Sequence, residues 1–171
     1  MPSSLGHAVA ALAFAPVLPR AARGRRALWL GALCAALPDV DALGRPFGRG
    51  DVAWLGGHRA LSHALLVAAG VAVAVVAAGY RGSAWRGGRR RLWTYFALVT
   101  ASHGALDTLT TYGEGVALLA PASWARVTAP WRPLTGLGPE VALLWAPGYV
   151  LLRRERRRSG PARPGARAPT A

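Results

Sequence analysis

All 21 basic side chains of this 171-residue sequence are arginines, and they fall in clusters separated by long uncharged stretches. Arg20, Arg23, Arg25 and Arg26 form one group, and Arg81, Arg86, Arg89, Arg90 and Arg91 a second. Arg153, Arg154, Arg156, Arg157, Arg158, Arg163 and Arg167 form the third. Residues 1–19, 27–38, 60–80, 92–106 and 141–152 carry no Asp, Glu, Lys or Arg. This alternation is the pattern of transmembrane helices and their flanks. At 1.5 Å per residue, about 20 residues cross a hydrocarbon core of roughly 30 Å. The 60–80 stretch is long enough alone, 1–19 nearly so, and 92–106 becomes so with Asp107 at its end. The stretches 27–38 and 141–152 are short and fit tilted, broken or re-entrant helices. The expected architecture is all-α, a polytopic membrane bundle of about five transmembrane helices.

Orientation follows from the same clusters. If all five stretches cross, the three clusters share one side and hold 16 of the 21 arginines, while Arg45, Arg49, Arg59, Arg126 and Arg132 lie on the other. The positive-inside rule then puts the N-terminus outside and the C-terminus in the cytoplasm. Residues 1–152 are expected to form a single transmembrane helical domain, and 153–171 an Arg- and Pro-rich disordered cytoplasmic tail. The first apolar run lacks the basic n-region of a signal peptide and reads as a retained helix.

Composition excludes several classes. With 53% hydrophobic and 16% charged residues, the chain is no disordered polycation despite its net charge of +14. A mean hydropathy of +0.26 also fits buried helices of a soluble core, but such a core gives no reason for the Arg clusters to alternate with the apolar runs. No nucleic-acid partner is expected, because apolar spans split the charge and no recognition motif is present. The arginine clusters more simply meet anionic membrane lipid, and nothing names a protein partner. A lone cysteine, Cys34, rules out an internal disulfide and a Cys-based structural zinc site.

All four histidines fall on the side of the acids. His7 lies near the start of the first helix, and Asp39 and Asp41 follow the second in LPDVD (37–41). His58 and His63 open the third in GHRALSHALL (57–66), and His103 and Asp107 lie near the end of the fourth in SHGALDTLTTYG (102–113). Four segments thus bring ionisable groups to one depth, where such groups usually face a bundle interior or a wet cavity. His103 and Asp107, four apart, share a helix face with Thr100 and Thr110 extending the polar stripe. Asp39 and Asp41, just after Pro38, suit a loop whose alternate carboxylates turn to a common centre or bridge two. His58 and His63, five apart and about 140° around a helix, point the same way only if His58 precedes the helix.

Histidine nitrogen with carboxylate oxygen and no thiolate suits zinc, manganese or another first-row divalent ion, whereas calcium prefers oxygen alone. The candidate ligands are His7, Asp39, Asp41, His58, His63, His103 and Asp107. That surplus over one tetrahedral ion allows two ions, or one ion plus a general base. Simpler roles stay open: His7 as a polar residue at a helix start, His103 with Asp107 as hydrogen-bonded glue between helices, and Arg59 as an interface anchor. A nucleophilic pair of Ser62 with a histidine is a poor fit, although Ser62 lies four after His58.

At these residues the sequence resembles the YdjM-like membrane-bound metal-dependent hydrolases, also described as LexA-binding, inner membrane-associated hydrolases. The matching pieces are Gly6-His7, LPDVD, GHRALSHALL, SHGALDTLTTYG and LLAPASWARVTAPWRPL (118–134), in that order. The resemblance implies a helical protein of the bacterial inner membrane with metal-dependent hydrolase activity. A more distant similarity to the zinc-dependent phospholipase C superfamily, which also uses an H-x-x-x-D pair, implies phosphoester substrates. Ala64 stands where the family often has Ser, which leaves the ligand set untouched. No motif for LexA binding is present.

The expected function is therefore a membrane-bound hydrolase acting on an ester, with lipid or other phosphoesters as candidate substrates, near the extracytoplasmic surface. Zinc or manganese would activate water, Asp39 or Asp41 would take the proton, and Arg59 would hold a substrate phosphate bidentately. The alternative is a non-enzymatic membrane protein with a structural metal or polar site, or a cytoplasmic docking platform.

Overall fold

The computed structural model describes residues 3–42 and 56–158, so Arg45, Arg49 and the tail from 159 onward lie outside the described residues. Helix α1 (Ser4–Ala13) begins where the extended Ser3 accepts a hydrogen bond from the Gly6 amide at 3.1 Å, an N-cap. It stops short of Pro16 and Pro19, which lack the amide needed to continue it, and the chain turns through two 3-10 segments, Ala15–Val17 and Arg20–Ala22. Helix α2 (Arg25–Ala36) tightens at Pro38 into a 3-10 turn, Leu37–Ala42. A second 3-10 turn, Leu61–His63, precedes α3 (Leu65–Gly79), and Ser83–Gly88 leads into α4 (Arg89–Thr108). The 109–136 segment is irregular, pinned by isolated bridges of Thr110 with Leu134 and Val116 with Val127. The last rod runs from α5 (Leu137–Glu140) through a π turn (Val141–Trp145) into α6 (Ala146–Arg158). The ring of Pro147 would crowd the carbonyl of Leu143 four residues earlier, and Leu143 lies in that wider turn.

The all-α class and the five helical rods agree with the sequence reading; the lengths do not. Among the described residues, no helix is long and apolar enough to cross a membrane. The 60–80 stretch, expected to span alone, is α-helical for only 15 residues, or about 22 Å at 1.5 Å each. Its first residues instead form the 3-10 turn, and Ala64 is extended. The first rod is likewise cut to ten residues by its prolines. The tail, expected to be disordered from 153, is helical as far as Arg158, because α6 carries through the arginine run.

Helix α4 is central, packing on α3, α2 and α1, while α1 also packs on α2 and α6. Its buried Leu92, Tyr95, Phe96 and Val99 meet a surface of small residues, among them Ala11, Ala27, Ala35 and Ala72, which let the helices approach closely. The Tyr95 hydroxyl donates to the Ala11 carbonyl at 3.0 Å, tying α4 to α1. A side chain at Gly31 would collide with that same hydroxyl.

The last rod is fastened to the first by one carboxylate. Glu140 is buried, and its Oε1 accepts from the Ser3 amide at 2.8 Å, from the Ser3 hydroxyl, and from Trp145 Nε1 at 3.1 Å. A negative group there also faces the positive end of the α1 dipole. The bundle consequently has two unlike ends. Helices α2 and α4 start, and α6 finishes, in arginine runs, whereas His7, Asp39, His63, His103 and Asp107 all sit at the opposite ends of their elements.

Candidate metal centre

Four segments deliver the site. His7 comes from the first turns of α1, Asp39 from the 3-10 turn after α2, His63 from the 3-10 turn before α3, and His103 and Asp107 from successive turns of α4. The 61–64 segment reaches α4 because residue 104 is glycine: a Cβ there would lie 2.8 Å from the His63 carbonyl oxygen and 2.9 Å from Leu118. His58 follows Gly56 and Gly57, both at φ +80°, a left-handed turn that glycine adopts freely.

The side-chain tips converge. His103 Nε2 lies 3.3 Å from Asp39 Oδ1 and 3.9 Å from Asp107 Oδ2. His63 Nε2 lies 3.5 Å from Asp107 Oδ2 and 3.9 Å from Asp39 Oδ1. His7 Nε2 is 3.6 Å from Asp107 Oδ1, and the His7 ring stacks on that of His103. His7, His103 and Asp107 make one set of three with ligand atoms within 4.8 Å of one another, and Asp39, His63 and His103 make another, so His103 belongs to both. His7, His63, His103 and Asp107 are buried, while the Asp39 side chain keeps 19% of its surface exposed.

These atoms share a chemical predicament. His7 Nε2, Asp39 Oδ1, His63 Nε2, His103 Nε2 and both Asp107 oxygens are buried without a hydrogen-bond partner among the described residues. His103 Nδ1 lies 2.6 Å from the Ala35 carbonyl, an acceptor only, so Nδ1 carries the proton and, in the neutral ring, Nε2 presents a lone pair. Lone pairs facing one another at 3 to 4 Å are stabilised by a cation among them, and nitrogen with carboxylate oxygen is the donor set of a first-row divalent ion. The residues present therefore fit such an ion.

Asp41 and His58 stand one step back. Asp41 Oδ1 takes a hydrogen bond from His58 Nδ1 at 2.8 Å, and Oδ2 takes one from the Ser62 hydroxyl. Burial would raise the Asp41 carboxyl above the usual carboxylate range, but those hydrogen bonds and the nearby His63 outweigh it and hold the group below that range. His58 meets His63 edge to face, with ring centroids 5.3 Å apart.

Arg59 is buried behind Asp107, its Nε 3.0 Å from Oδ2 in an ion pair that is not an aligned hydrogen bond. Its other donors go to Thr110 Oγ1 at 3.3 Å and to the Tyr112 carbonyl. The guanidinium expected to hold a substrate is thus engaged by protein. Its backbone sits at φ +64°, a conformation that L side chains rarely adopt.

Three contributors have roles that the sequence reading did not assign. Ser62 bridges Asp41 and His63, Arg126 holds the carbonyls of Gly56, His58 and Gly115, and Glu140 anchors the helix that carries His7. Adjacent residues of an α-helix point about 100° apart, whereas Ser62 and His63, in the 3-10 turn, are in contact. For Arg126 and Glu140 no local pattern gives a signal, since the partners that matter to the site, His58 and Ser3, lie far away in the chain.

Comparison with known proteins matches the sequence to a family. The family model described as YdjM inner membrane protein matches residues 1–162. The inner membrane protein YbcI of Escherichia coli (strain K12) is 33% identical, over 89% of this chain and 95% of the relative. No solved structure matches. With the model covering nearly the whole chain and the relative matching almost end to end, the chain belongs to the YdjM inner membrane protein family.

Proposed function

We propose that this protein is a metal-dependent hydrolase of the bacterial inner membrane, acting on ester or phosphoester bonds near the extracytoplasmic surface. The observation that carries the reading is the set of buried acceptor atoms on His7, Asp39, His63, His103 and Asp107, without hydrogen-bond partners among the described residues and turned toward one another from four segments. Those five would hold one or two divalent ions, zinc first and manganese next. A bound ion of this kind polarises an ester oxygen and acidifies water. Asp39, alone of the five in keeping solvent contact, would accept a proton and pass it out, its partly exposed side chain supporting that role. Arg59 orients Asp107 and supplies positive charge behind it; contact with a substrate phosphate would require its guanidinium to leave Thr110 or Tyr112. Asp41 and His58 support the ligands from one step back.

The membrane reading draws on the inner-membrane names of the family and relative, and on the surface. Large apolar side chains such as Trp29, Leu33, Leu66 and Val73 are exposed along α2 and α3, an arrangement suited to lipid. Exposed Trp29, Trp93 and Tyr149 lie on rods ending in arginine runs, and exposed Trp124 and Trp131 in the irregular segment joining α4 to α5, in the manner of two interfacial belts. Five multi-pass rods with the C-terminus in the cytoplasm follow from the arginine runs. Rods as short as α3 would be met by local bilayer thinning.

Burial of four of the five candidate ligands favours a second reading, a structural metal centre without turnover. One experiment separates the two: metal analysis of the detergent-purified wild type and Asp107→Ala, followed by phosphodiester, phosphomonoester and carboxylic ester substrates with added zinc or manganese, and with chelator as control. Wild-type metal and chelator-sensitive turnover, both lost in the variant, support the hydrolase. Tight metal with no turnover on any substrate supports the structural centre.

A further inference from the structure

Between Asp41 and His63 stands one hydroxyl that the hydrolysis reading does not use. Ser62 Oγ contacts Asp41 Oδ2 on one side and His63 Nδ1, at 2.8 Å, on the other. A hydroxyl has one proton and two candidate acceptors here, so the direction of the chain is a question of which neighbour lacks a proton. Asp41 already receives the His58 Nδ1–H on its other oxygen, and a carboxylate can only accept. Ser62 therefore donates to Asp41, and its lone pair receives the proton on His63 Nδ1. Direct contact is too long to replace this link, since His63 Nδ1 and Asp41 Oδ2 are 3.6 Å apart.

We propose that Ser62 is a positioning residue: acting with Asp41, it fixes His63 as the Nδ1–H tautomer and so presents Nε2 as a lone pair to the centre. The proposal rests on the metal reading only for its consequence, not for its geometry. Opposite His63, the Ala35 carbonyl imposes the same tautomer on His103. Two ligands delivered from different elements are thus set the same way, one by a backbone carbonyl and one through a serine. Outer groups of this type orient metal-bound histidines, and their loss typically costs about 10 to 100-fold in affinity.

The test reads tautomer and metal separately. Nitrogen-15 histidine NMR of the metal-free full chain in detergent, with the His63 signal assigned by His63→Gln, should show the Nδ1–H form in the wild type. Ser62→Ala should give mixed tautomers at His63 and zinc binding weakened about 10 to 100-fold, while Ser62→Thr, which keeps the hydroxyl, should restore both. Ser62→Cys keeps the volume but bonds poorly, and gives the same readouts should the alanine variant fail to fold. An unchanged His63 signal in the Ala or Cys variant overturns the proposal, as does zinc affinity within twofold of wild type. A shifted tautomer in a protein that binds no zinc even as wild type would leave the serine's role standing and remove the metal reading instead.

Discussion

The imidazoles of His7 and His103 lie face to face, with centroids 3.6 Å apart and planes 13° from parallel, although 96 positions separate them in the chain. Two cationic rings would repel at that distance, so the stack suits neutral imidazoles with lone pairs to offer. It also makes the α1 to α4 packing part of the site, because a shift of either helix breaks the stack.

The two rings are not equivalent. His103 belongs to both sets of three ligands and is oriented by Ala35, whereas His7 belongs to one and has no hydrogen-bond partner among the described residues. His103→Ala should therefore abolish bound metal, while His7→Ala should keep part of it at reduced affinity. Zinc content after gel filtration, with competition against a chromophoric chelator, checks the order; equal losses would contradict it.

Arg59 and Asp107 form a buried ion pair, and removing one member strands the other. Arg59→Ala should destabilise the metal-free protein by about 3 to 5 kcal/mol. Because residue 59 sits at φ +64°, Arg59→Gly should recover about 1 to 2 kcal/mol of that loss. Unfolding in mixed detergent measures both variants, and a glycine variant less stable than the alanine one would refute the backbone argument.

Gly104 sets the distance between α4 and the turn that carries His63. Gly104→Ala should cost about 1 to 3 kcal/mol through overpacking, and should lower metal affinity with little change in helical circular dichroism. Unaltered metal binding in this variant would mean that the turn tolerates displacement.

The arginine runs predict an orientation, C-terminus in the cytoplasm, that reporters can read. A fusion after Leu152 should be active as a cytoplasmic reporter and silent as a periplasmic one. Periplasmic activity at that junction would reverse the proposed placement of the centre.

The sequence made part of this site legible and concealed the rest for geometric reasons. His103 and Asp107 are four apart on a true helix, where spacing decides facing, and they meet as expected. Asp39 and Asp41 were expected to turn toward a common centre or to bridge two, as alternate residues of a loop can. In a 3-10 turn of three residues each, positions two apart point about 120° from one another. Asp39 accordingly faces His103 while Asp41 faces His58 and Ser62. Rod lengths were misread where uncharged residues need not be helical, as at Pro16, Pro19 and the extended Ala64. The arginine runs carried the order of the rods correctly, since charge at helix ends depends little on how the turns between are built.

Glu140 ties the centre to the order in which the chain is made. His103 and Asp107 emerge from the ribosome before the carboxylate that holds Ser3, yet Ser3 caps the helix bearing His7. The cap of the helix that bears the first candidate ligand thus leans on a residue that follows the last one by 33 positions. A chain cut after α4 would hold every candidate ligand yet lack the carboxylate that accepts from the Ser3 amide and hydroxyl.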